Sequence, residues 1–406
     1  MMISSARRPK PVRLPPPGSG AGEFRRIALP VLPEAAAAVL PVGDPPVCPP
    51  GLLPGALADP FTPHKILNHF DRLRQFVDGQ LVFPITVEVD PTNVCNHRCT
   101  WCVSAQSHSG ESLGLACFQS LMDELRQCEV RSIVLKGGGE PTVHPHFVEM
   151  LDAAHDAQLS VGLITNGSMP RAGSREKILQ RCEWVRISLD AATPQTHRQI
   201  HGTGDFAGIL QNVAYLTGNA RRTMVGLNFV AEARNFHEMA RFAQLARSLG
   251  AAYVTIRCVF DPARPLSSDL RDAMRQEAVA AKQIEDGRFR VFLGNFTDRY
   301  LGASPSDAVA YSRCLGPNLI GIVGGDANVY ACCFLRGNPA FSFGNINQQS
   351  FREIWRSGRR QEVMDAVYAG KCNRVCAGGL TTNRYNHYNE ILNYLCAEDK
   401  AHAEFA

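Results

Sequence analysis

The sequence predicts an α/β fold: a partial (βα)6 TIM-like barrel followed by a small C-terminal cysteine-rich domain. From Ile85 to about residue 300, six apolar runs alternate with amphipathic segments, and consecutive βα units form a parallel sheet with right-handed crossovers. Six units are too few for an eight-stranded barrel, which favours an open, partial barrel over the alternative, a doubly wound sheet. A late group of cysteines indicates the second domain. We therefore divide this part of the chain into residues 61–300 and 301–406.

Each apolar run is a candidate strand, and each amphipathic segment a candidate helix. The candidate strands are ITVEV (85–89), SIVLK (132–136), VGLIT (161–165), WVRISL (184–189), VGLNFV (225–230) and YVTIR (253–257). Two helical faces with the i, i+3, i+4, i+7 spacing are Phe118, Leu121, Met122, Leu125, Cys128 and Phe147, Met150, Leu151, Ala154. Asn235, followed three residues later by Glu238, resembles an N-terminal capping arrangement and predicts a helix from Phe236 through Leu249.

Residues 1–60 are expected to lie outside both domains. They contain 14 of the 26 prolines and the run AAAA at 35–38, which prevents a sustained helix or a central strand. We predict a disordered extension, with a short partner-docking arm as the alternative.

Composition excludes several classes of protein. The chain has 406 residues, 45% of them hydrophobic, and a net charge of +4, which is too small to indicate binding to nucleic acid or to an anionic membrane. No apolar run approaches the eighteen residues of a spanning helix. Arg7 and Arg8 are not followed by the apolar stretch of a signal peptide. We therefore expect a cytoplasmic protein whose 14 cysteines serve metal or redox chemistry.

The stretch NVCNHRCTWC (93–102) places Cys95, Cys99 and Cys102 on one short loop after the first strand. Three thiolates so close together can converge on one centre, and an iron–sulfur cubane is normally held by one cysteine per iron. Three ligands leave one iron open to a reactant, as in catalytic metal sites. The alternative is a zinc site that takes a fourth ligand from His97 or His108.

The spacing Cys-x3-Cys-x2-Cys, with Trp101 before the third cysteine, resembles the signature of the radical S-adenosylmethionine (SAM) superfamily. In that family the amino and carboxylate groups of SAM chelate the open iron. KGGGEPT (136–142), TNG (165–167) and RISLDA (186–191) follow later strands in the order that the family shows. The resemblance implies that SAM contacts Trp101, Gly138, Gly139, Glu140, Pro141, Asn166, Ser188 and Asp190.

The C-terminal segment resembles the auxiliary-cluster domains called SPASM and Twitch, through DANVYAC (326–332) and FGNINQQSFREIWRSG (343–358). Too few cysteines are present for the two clusters of a full SPASM domain, so a Twitch-like domain with one auxiliary 4Fe–4S cluster is favoured. The implied ligands are Cys314, Cys332, Cys372 and Cys376. Cys396 could replace either of the last two, or donate a hydrogen atom as a free thiol. A structural zinc site is the alternative.

The other cysteines and the histidines are assigned structural positions. Cys48, Cys117, Cys128, Cys182, Cys258 and Cys333 are predicted to be packing residues, with Cys333 pointing away from Cys332 on a strand. The histidines at 144, 146, 197 and 201 are predicted to lie at the surface or at helix caps, although His197 or His201 could meet substrate.

The resemblance implies reductive cleavage of SAM to a 5′-deoxyadenosyl radical, which abstracts a substrate hydrogen atom. A flavodoxin or ferredoxin would supply the electron, and an auxiliary cluster could accept a second one. Because the proline-rich N-terminus does not favour a peptide-recognition domain, we expect oxidation or epimerisation of a sugar or aminocyclitol. The alternatives are radical modification of a peptide, including sulfatase maturation, and a zinc-stabilised binding protein without radical chemistry.

Overall fold

The computed structural model describes residues 62–105, 109–259, 267–294, 311–372 and 383–397. Within these ranges the strands are β1 Thr86–Val89, β2 Ser132–Leu135, β3 Ser160–Thr165, β4 Cys182–Ser188, β5 Met224–Ala231, β6 Tyr253–Cys258, β7 Arg290–Leu293, β8 Ile320–Val323, β9 Asn328–Tyr330 and β10 Ser342–Asn345. The α-helices are α1 Phe70–Val77, α2 Leu115–Gln127, α3 Phe147–Asp156, α4 Ser174–Arg181, α5 Pro194–His201, α6 Phe206–Asn219, α7 Met239–Ser248, α8 Ser268–Lys282, α9 Phe351–Arg356, α10 Gly358–Tyr368 and α11 Asn383–Leu395. The predicted extension at residues 1–60 lies outside these ranges, and so do Cys48, His108 and Cys376.

All ten strands form one sheet, in the order β10-β9-β8-β1-β2-β3-β4-β5-β6-β7. Strands β1 to β7 are parallel, and each lies beside the next one along the chain. A doubly wound sheet would reverse its strand order at a switch point. The unbroken order therefore confirms the barrel-type arrangement.

The six predicted strands are present, and the structure adds a seventh, β7, which pairs with β6. The two predicted helical faces are also confirmed, since their residues are buried, including Cys128. They pack with outward-facing strand residues such as Val87, Ile133 and Leu163 in the main core. This core fixes the strands, so that the loops after them converge at one edge of the sheet.

The predicted helix cap at Asn235 is wrong. A 3-10 turn, Phe236–Glu238, precedes α7, and the Asn235 side chain caps neither. Asn235 Nδ2 instead donates to Asp190 O and Val230 O, both at 2.9 Å. Glu238 accepts from Ala192 N at 2.6 Å. Both side chains are buried because they hold the loop after β4, a demand of the tertiary structure that local spacing does not reveal.

The C-terminal segment extends the same sheet. Strand β8 pairs in parallel with β1, and β9 and β10 continue antiparallel. Helix α9 packs beside the barrel, where Trp355 Nε1 donates to Val82 O at 2.8 Å and Phe351 N donates to Glu124 Oε2 at 2.5 Å. No α-helix in the described ranges has the length and apolar character needed to cross a membrane.

Candidate metal centre at the cysteine loop

The glycine-rich turn after β2 supports the cysteine loop after β1. Glu140 N donates to Val94 O at 2.9 Å. A Cβ atom on Gly139 would lie 2.0 Å from Val94 O, and one on Gly138 would lie 2.2 Å from Asn93 Oδ1. The close approach that these glycines allow is therefore made to the cysteine loop itself.

The segment that ends α5 supports the other side of the loop. Arg98 N donates to His201 O at 2.9 Å, and Thr100 N donates to Ile200 O at 3.0 Å. The loop is thus attached to two neighbouring parts of the barrel rim.

The three loop cysteines form a convergent donor set. Cys95, Cys99 and Cys102 are each half-buried, and their thiols influence one another electrostatically. Burial raises the pKa of Cys95 to about 11 and also raises the pKa of Cys99 and of Cys102. Three thiolates at this place require a strongly positive centre, which an iron–sulfur cluster supplies. The donor set fits a cluster with three protein ligands.

Glu140 connects the turn after β2 to the end of β3. Its buried carboxylate accepts from Thr142 N at 3.0 Å, Thr142 Oγ1 at 2.7 Å, Thr165 Oγ1 at 2.5 Å and Asn166 N at 2.7 Å. Burial raises the pKa of Glu140, against the opposing effect of these hydrogen bonds. The side chain therefore has a structural role beside the contact with SAM that the sequence predicts.

Asn166 also positions the cysteine loop, since its Nδ2 donates to Asn96 Oδ1 at 2.8 Å. Ser188 ends β4 and is half-buried, and Pro141 opens a buried 3-10 turn. The indole Nε1 of Trp101 is buried without a hydrogen-bond partner among the described residues. Trp101 belongs to the cysteine loop and Asn166 contacts it. A contact of SAM with any of these four residues stays a prediction.

Asp190 is fully buried, with a left-handed backbone φ of 56°. Its Oδ1 accepts from Val230 N at 2.6 Å, and its Oδ2 lies 3.1 Å from His201 Nε2. The structure thus gives its carboxylate protein partners, and a contact with SAM stays a prediction.

A group of three buried histidines lies behind Cys99. His201 Nδ1 lies 3.2 Å from Cys99 Sγ and 3.2 Å from His97 Nδ1. His97 Nε2 and His197 Nε2 contact the two carboxylate oxygens of Asp205, at 2.9 and 3.0 Å. Burial lowers the pKa of His97 to about 4 and also lowers the pKa of His197.

The predicted surface or capping position is wrong for His197 and His201, which are buried. It holds for His146, which is exposed, and for His144, which is buried but caps the C-terminal end of the 3-10 turn Pro141–Val143. The i, i+4 spacing of His197 and His201, which places both rings on one helix face, was the signal for this group. Contact between His97 and α5 depends on the folding of the whole barrel.

The second cysteine set lies near β8 and β9. Cys314 and Cys332 influence each other electrostatically, and Asn389 Nδ2 donates to Cys314 Sγ at 3.6 Å. Cys372 packs at the edge of the same core, and Cys396 is exposed after α11.

The predicted placement of Cys333 on a strand, pointing away from Cys332, is wrong. It begins the 3-10 turn Cys333–Leu335 after β9, and its thiol shares a hydrogen bond with Cys332. This bond lowers the pKa of Cys333 to about 7. The chain has already left the sheet at this point, so the alternation of a strand no longer applies.

Four charged side chains lie between the two cysteine sets, namely the buried carboxylates Glu88 and Asp90 and the half-buried cations Lys136 and Arg336. Lys136 Nζ pairs with Glu88 Oε2, and Arg336 Nε pairs with Asp90 Oδ2, both at 2.5 Å. The positive charge of Arg336 acts on Cys102 of the first set and on Cys333 beside the second. Burial raises the pKa of Asp90 to about 6, although Arg336 opposes this shift. We call Glu88, Asp90, Lys136 and Arg336 the charge quartet.

Comparison with known proteins agrees with this geometry. Residues 89–246 match the radical SAM superfamily, and residues 314–378 match an iron–sulfur cluster-binding domain named SPASM. The matched ranges contain the loop cysteines and the four cysteines predicted as auxiliary ligands. The chain is a member of the radical SAM superfamily. More particularly, it is a radical SAM enzyme with a SPASM-type domain, which implies a 4Fe–4S cluster with SAM and an auxiliary cluster.

Among its relatives, the mycofactocin maturase MftC of Mycobacterium tuberculosis is 28% identical over 333 residues, covering 77% of this chain and 82% of that protein. The PqqA peptide cyclase of Ruegeria pomeroyi is 28% identical over 287 residues, covering 68% and 74%. Streptococcus suis SuiB, solved with its precursor peptide SuiA, superposes with a TM-score of 0.58 at 12% identity, covering 82% and 81%. The last similarity concerns the fold alone.

Proposed function

We propose that this chain modifies a peptide by radical chemistry. One observation carries the proposal: relatives named as a maturase and as a peptide cyclase align with 77% and 68% of the chain. This favours the peptide alternative over the sugar or aminocyclitol substrate that we expected from the sequence. A zinc-stabilised protein without enzymatic activity receives no support from these relatives.

When bound, SAM and the reduced cluster supply a 5′-deoxyadenosyl radical that removes a hydrogen atom from a substrate carbon. We assign Cys95, Cys99 and Cys102 as the cluster ligands. The proposed SAM contacts are Trp101, Gly138, Gly139, Glu140, Pro141, Asn166, Ser188 and Asp190. The task of these residues is to orient SAM and to exclude water from the reacting atoms.

For the auxiliary cluster we propose Cys314, Cys332, Cys372 and Cys376, in a domain that begins near residue 301. The iron and sulfide content of anoxically reconstituted protein tests this set. A Cys95/Cys99/Cys102 triple alanine variant is expected to keep about four irons per chain, as one cubane requires. Complete loss of iron would contradict the C-terminal ligand set.

The substrate proposal is tested with SAM, dithionite or a flavodoxin system, and short peptides encoded beside the gene for this chain. We expect 5′-deoxyadenosine to form in a peptide-dependent manner, with transfer of deuterium from labelled peptide. The triple alanine variant is the control. If sugars or aminocyclitols stimulate the formation of 5′-deoxyadenosine and peptides do not, the peptide proposal is overturned.

We further propose net oxidation, since the auxiliary cluster provides a one-electron acceptor in the same chain. The mass of the product distinguishes oxidation from epimerisation. Oxidation removes two hydrogen atoms from the peptide, whereas epimerisation leaves its mass unchanged. An unchanged mass together with an inverted α-carbon would contradict oxidation.

A further inference from the structure

His97, His201 and Cys99 bring three potential ligand atoms to one point. His97 Nδ1 and Cys99 Sγ each lie 3.2 Å from His201 Nδ1, and all three atoms lie within 4.8 Å of one another. Ligand atoms of a tetrahedral zinc ion, at bond lengths of about 2.0 to 2.3 Å, are separated by roughly 3.3 to 3.6 Å. Small adjustments of these side chains would therefore accommodate one ion.

Both imidazoles direct their other nitrogen toward a carboxylate. His201 Nε2 lies 3.1 Å from Asp190 Oδ2, and His97 Nε2 lies 2.9 Å from Asp205 Oδ2. Metal-binding histidines are held in this way, since an N–H group that donates to a carboxylate fixes the ring and leaves the opposite nitrogen as a ligand. His97 has this arrangement through its hydrogen bond with Asp205. His201 Nε2 lies beside Asp190 Oδ2, but the two atoms do not have the geometry of a hydrogen bond, and both are buried without such a partner among the described residues.

The same arrangement creates a conflict that a cation resolves. If both Nε2 atoms carry hydrogen, both Nδ1 atoms are acceptors, yet these atoms are 3.2 Å apart. The thiol of Cys99 can donate its single hydrogen to one of them only. If His201 instead carries its hydrogen on Nδ1, it can donate to His97 Nδ1, but Asp190 Oδ2 is then left buried without a donor. A metal ion between the three atoms would be bound by all of them.

We propose that His97, His201 and Cys99 bind a divalent, thiophilic cation when the loop carries no iron–sulfur cluster. Zn²⁺ is the probe for this site. Three protein ligands leave the fourth zinc position to water. Because Cys99 belongs to both sites, the cation and the SAM-binding cluster exclude each other. Cys99 is half-buried, so the site is reachable from solvent although both histidines are buried.

The test uses the full chain, prepared anoxically without clusters. Every variant also carries Cys314→Ala and Cys332→Ala, because these substitutions weaken zinc binding by the C-terminal cysteines. Cys95→Ala and Cys102→Ala are then added, which removes two cluster ligands but keeps the proposed site. Zn²⁺ affinity is measured by competition with a chromophoric chelator. We expect this variant to bind one equivalent of Zn²⁺ and to give a thiolate charge-transfer band when it binds Co²⁺ instead.

His97→Ala and His201→Ala should each abolish this binding, and Asp205→Asn should weaken it by about 10- to 100-fold. His197→Ala is the matched control. This third buried histidine stacks on His201, with the ring centroids 4.5 Å apart. Its two nitrogens, however, face Leu189 O and Asp205 Oδ1 and not the proposed metal position. Its removal should leave zinc binding within a few-fold of the parent.

Undiminished zinc binding after loss of His97 or His201, or loss of binding in the Cys95/Cys102 variant, would overturn the proposal. Where a histidine variant does not fold, X-ray absorption of the single zinc in the Cys95/Cys102 variant decides the question. Two imidazole nitrogens and one sulfur support the site, and a sulfur-only shell contradicts it. In the wild type, Zn²⁺ should slow iron incorporation into the loop, and this effect should disappear in a folded His201→Ala variant.

Discussion

At the scale of single residues, Glu140 shows how one buried carboxylate can organise a site. We predict that Glu140→Gln lowers the free energy of unfolding of the cluster-free protein by about 1 to 3 kcal/mol. The carboxylate accepts four hydrogen bonds, and an amide would turn its NH₂ group toward at least one of these donors. Denaturant unfolding under anoxic conditions measures the change.

The matched control for this variant is Glu149→Gln, because Glu149 is exposed on α3 and its Oε1 lies 3.7 Å from Nδ1 of the exposed His146. Its substitution should change the free energy of unfolding by less than about 0.5 kcal/mol. Equal effects of the two substitutions would show that the hydrogen bonds of Glu140 do not stabilise the rim.

The spacing of the sequence motifs predicted which residues belong to the site at the cysteine loop. It did not predict which side chains and backbone groups these residues contact. Cys95, Cys99 and Cys102 are neighbours along the chain, so their convergence follows from local geometry. The partners of Asp190 come from β5 and α5, about 40 and 11 residues away. Such contacts depend on the register of several strands, which no local motif of this chain encodes.

At the scale of elements, the turn after β2 and the loop after β1 fit together closely enough to exclude a methyl group. We predict that Gly139→Ala displaces the cysteine loop and reduces the iron bound at Cys95, Cys99 and Cys102. The added Cβ would lie 2.0 Å from Val94 O, a backbone atom that cannot rotate away. Iron per chain after reconstitution, in a background with Cys314→Ala and Cys332→Ala, is the measurement.

Gly208→Ala provides the control, since a Cβ on this residue of α6 meets nothing within 4 Å. That substitution should keep the iron content and stabilise the helix by about 0.5 to 1 kcal/mol. Full iron content in Gly139→Ala would mean that the loop accommodates the methyl group, contrary to the prediction.

Most regular elements could be predicted because apolar periodicity is a local property. The exception among the barrel strands is β7, which has four residues, begins with Arg290 and shows little alternation. Residues 290–293 form a strand because they pair with β6, although their own sequence does not indicate one. The helix cap predicted at Asn235 was wrong because the local spacing indicated a local role. The side chain of Asn235 instead makes a long-range hydrogen bond to Asp190 O.

At the scale of the whole molecule, the charge quartet joins the barrel to the segment that carries the second cysteine set. We predict that Arg336→Met and Asp90→Asn each destabilise the cluster-free protein, Arg336→Met by about 3 to 5 kcal/mol because it leaves a buried charge without its partner. The double variant should be less destabilised than the sum of the two. Additive effects in this double-mutant cycle would contradict a direct interaction.

The raised pKa of Asp90 also predicts how stability changes with pH. Its folded-state value of about 6 exceeds the value of about 3.9 for an unfolded chain. Between these values the folded state holds a proton that the unfolded state has released, so stability falls as pH rises from about 4 to about 6. The total loss is on the order of 3 kcal/mol, from about 1.4 kcal/mol per pKa unit. Asp90→Asn cannot release this proton, so its free energy of unfolding should vary less across the window than that of the wild type. Denaturant titrations of the cluster-free proteins at several pH values measure both slopes, and parallel curves would place the pH dependence in other groups.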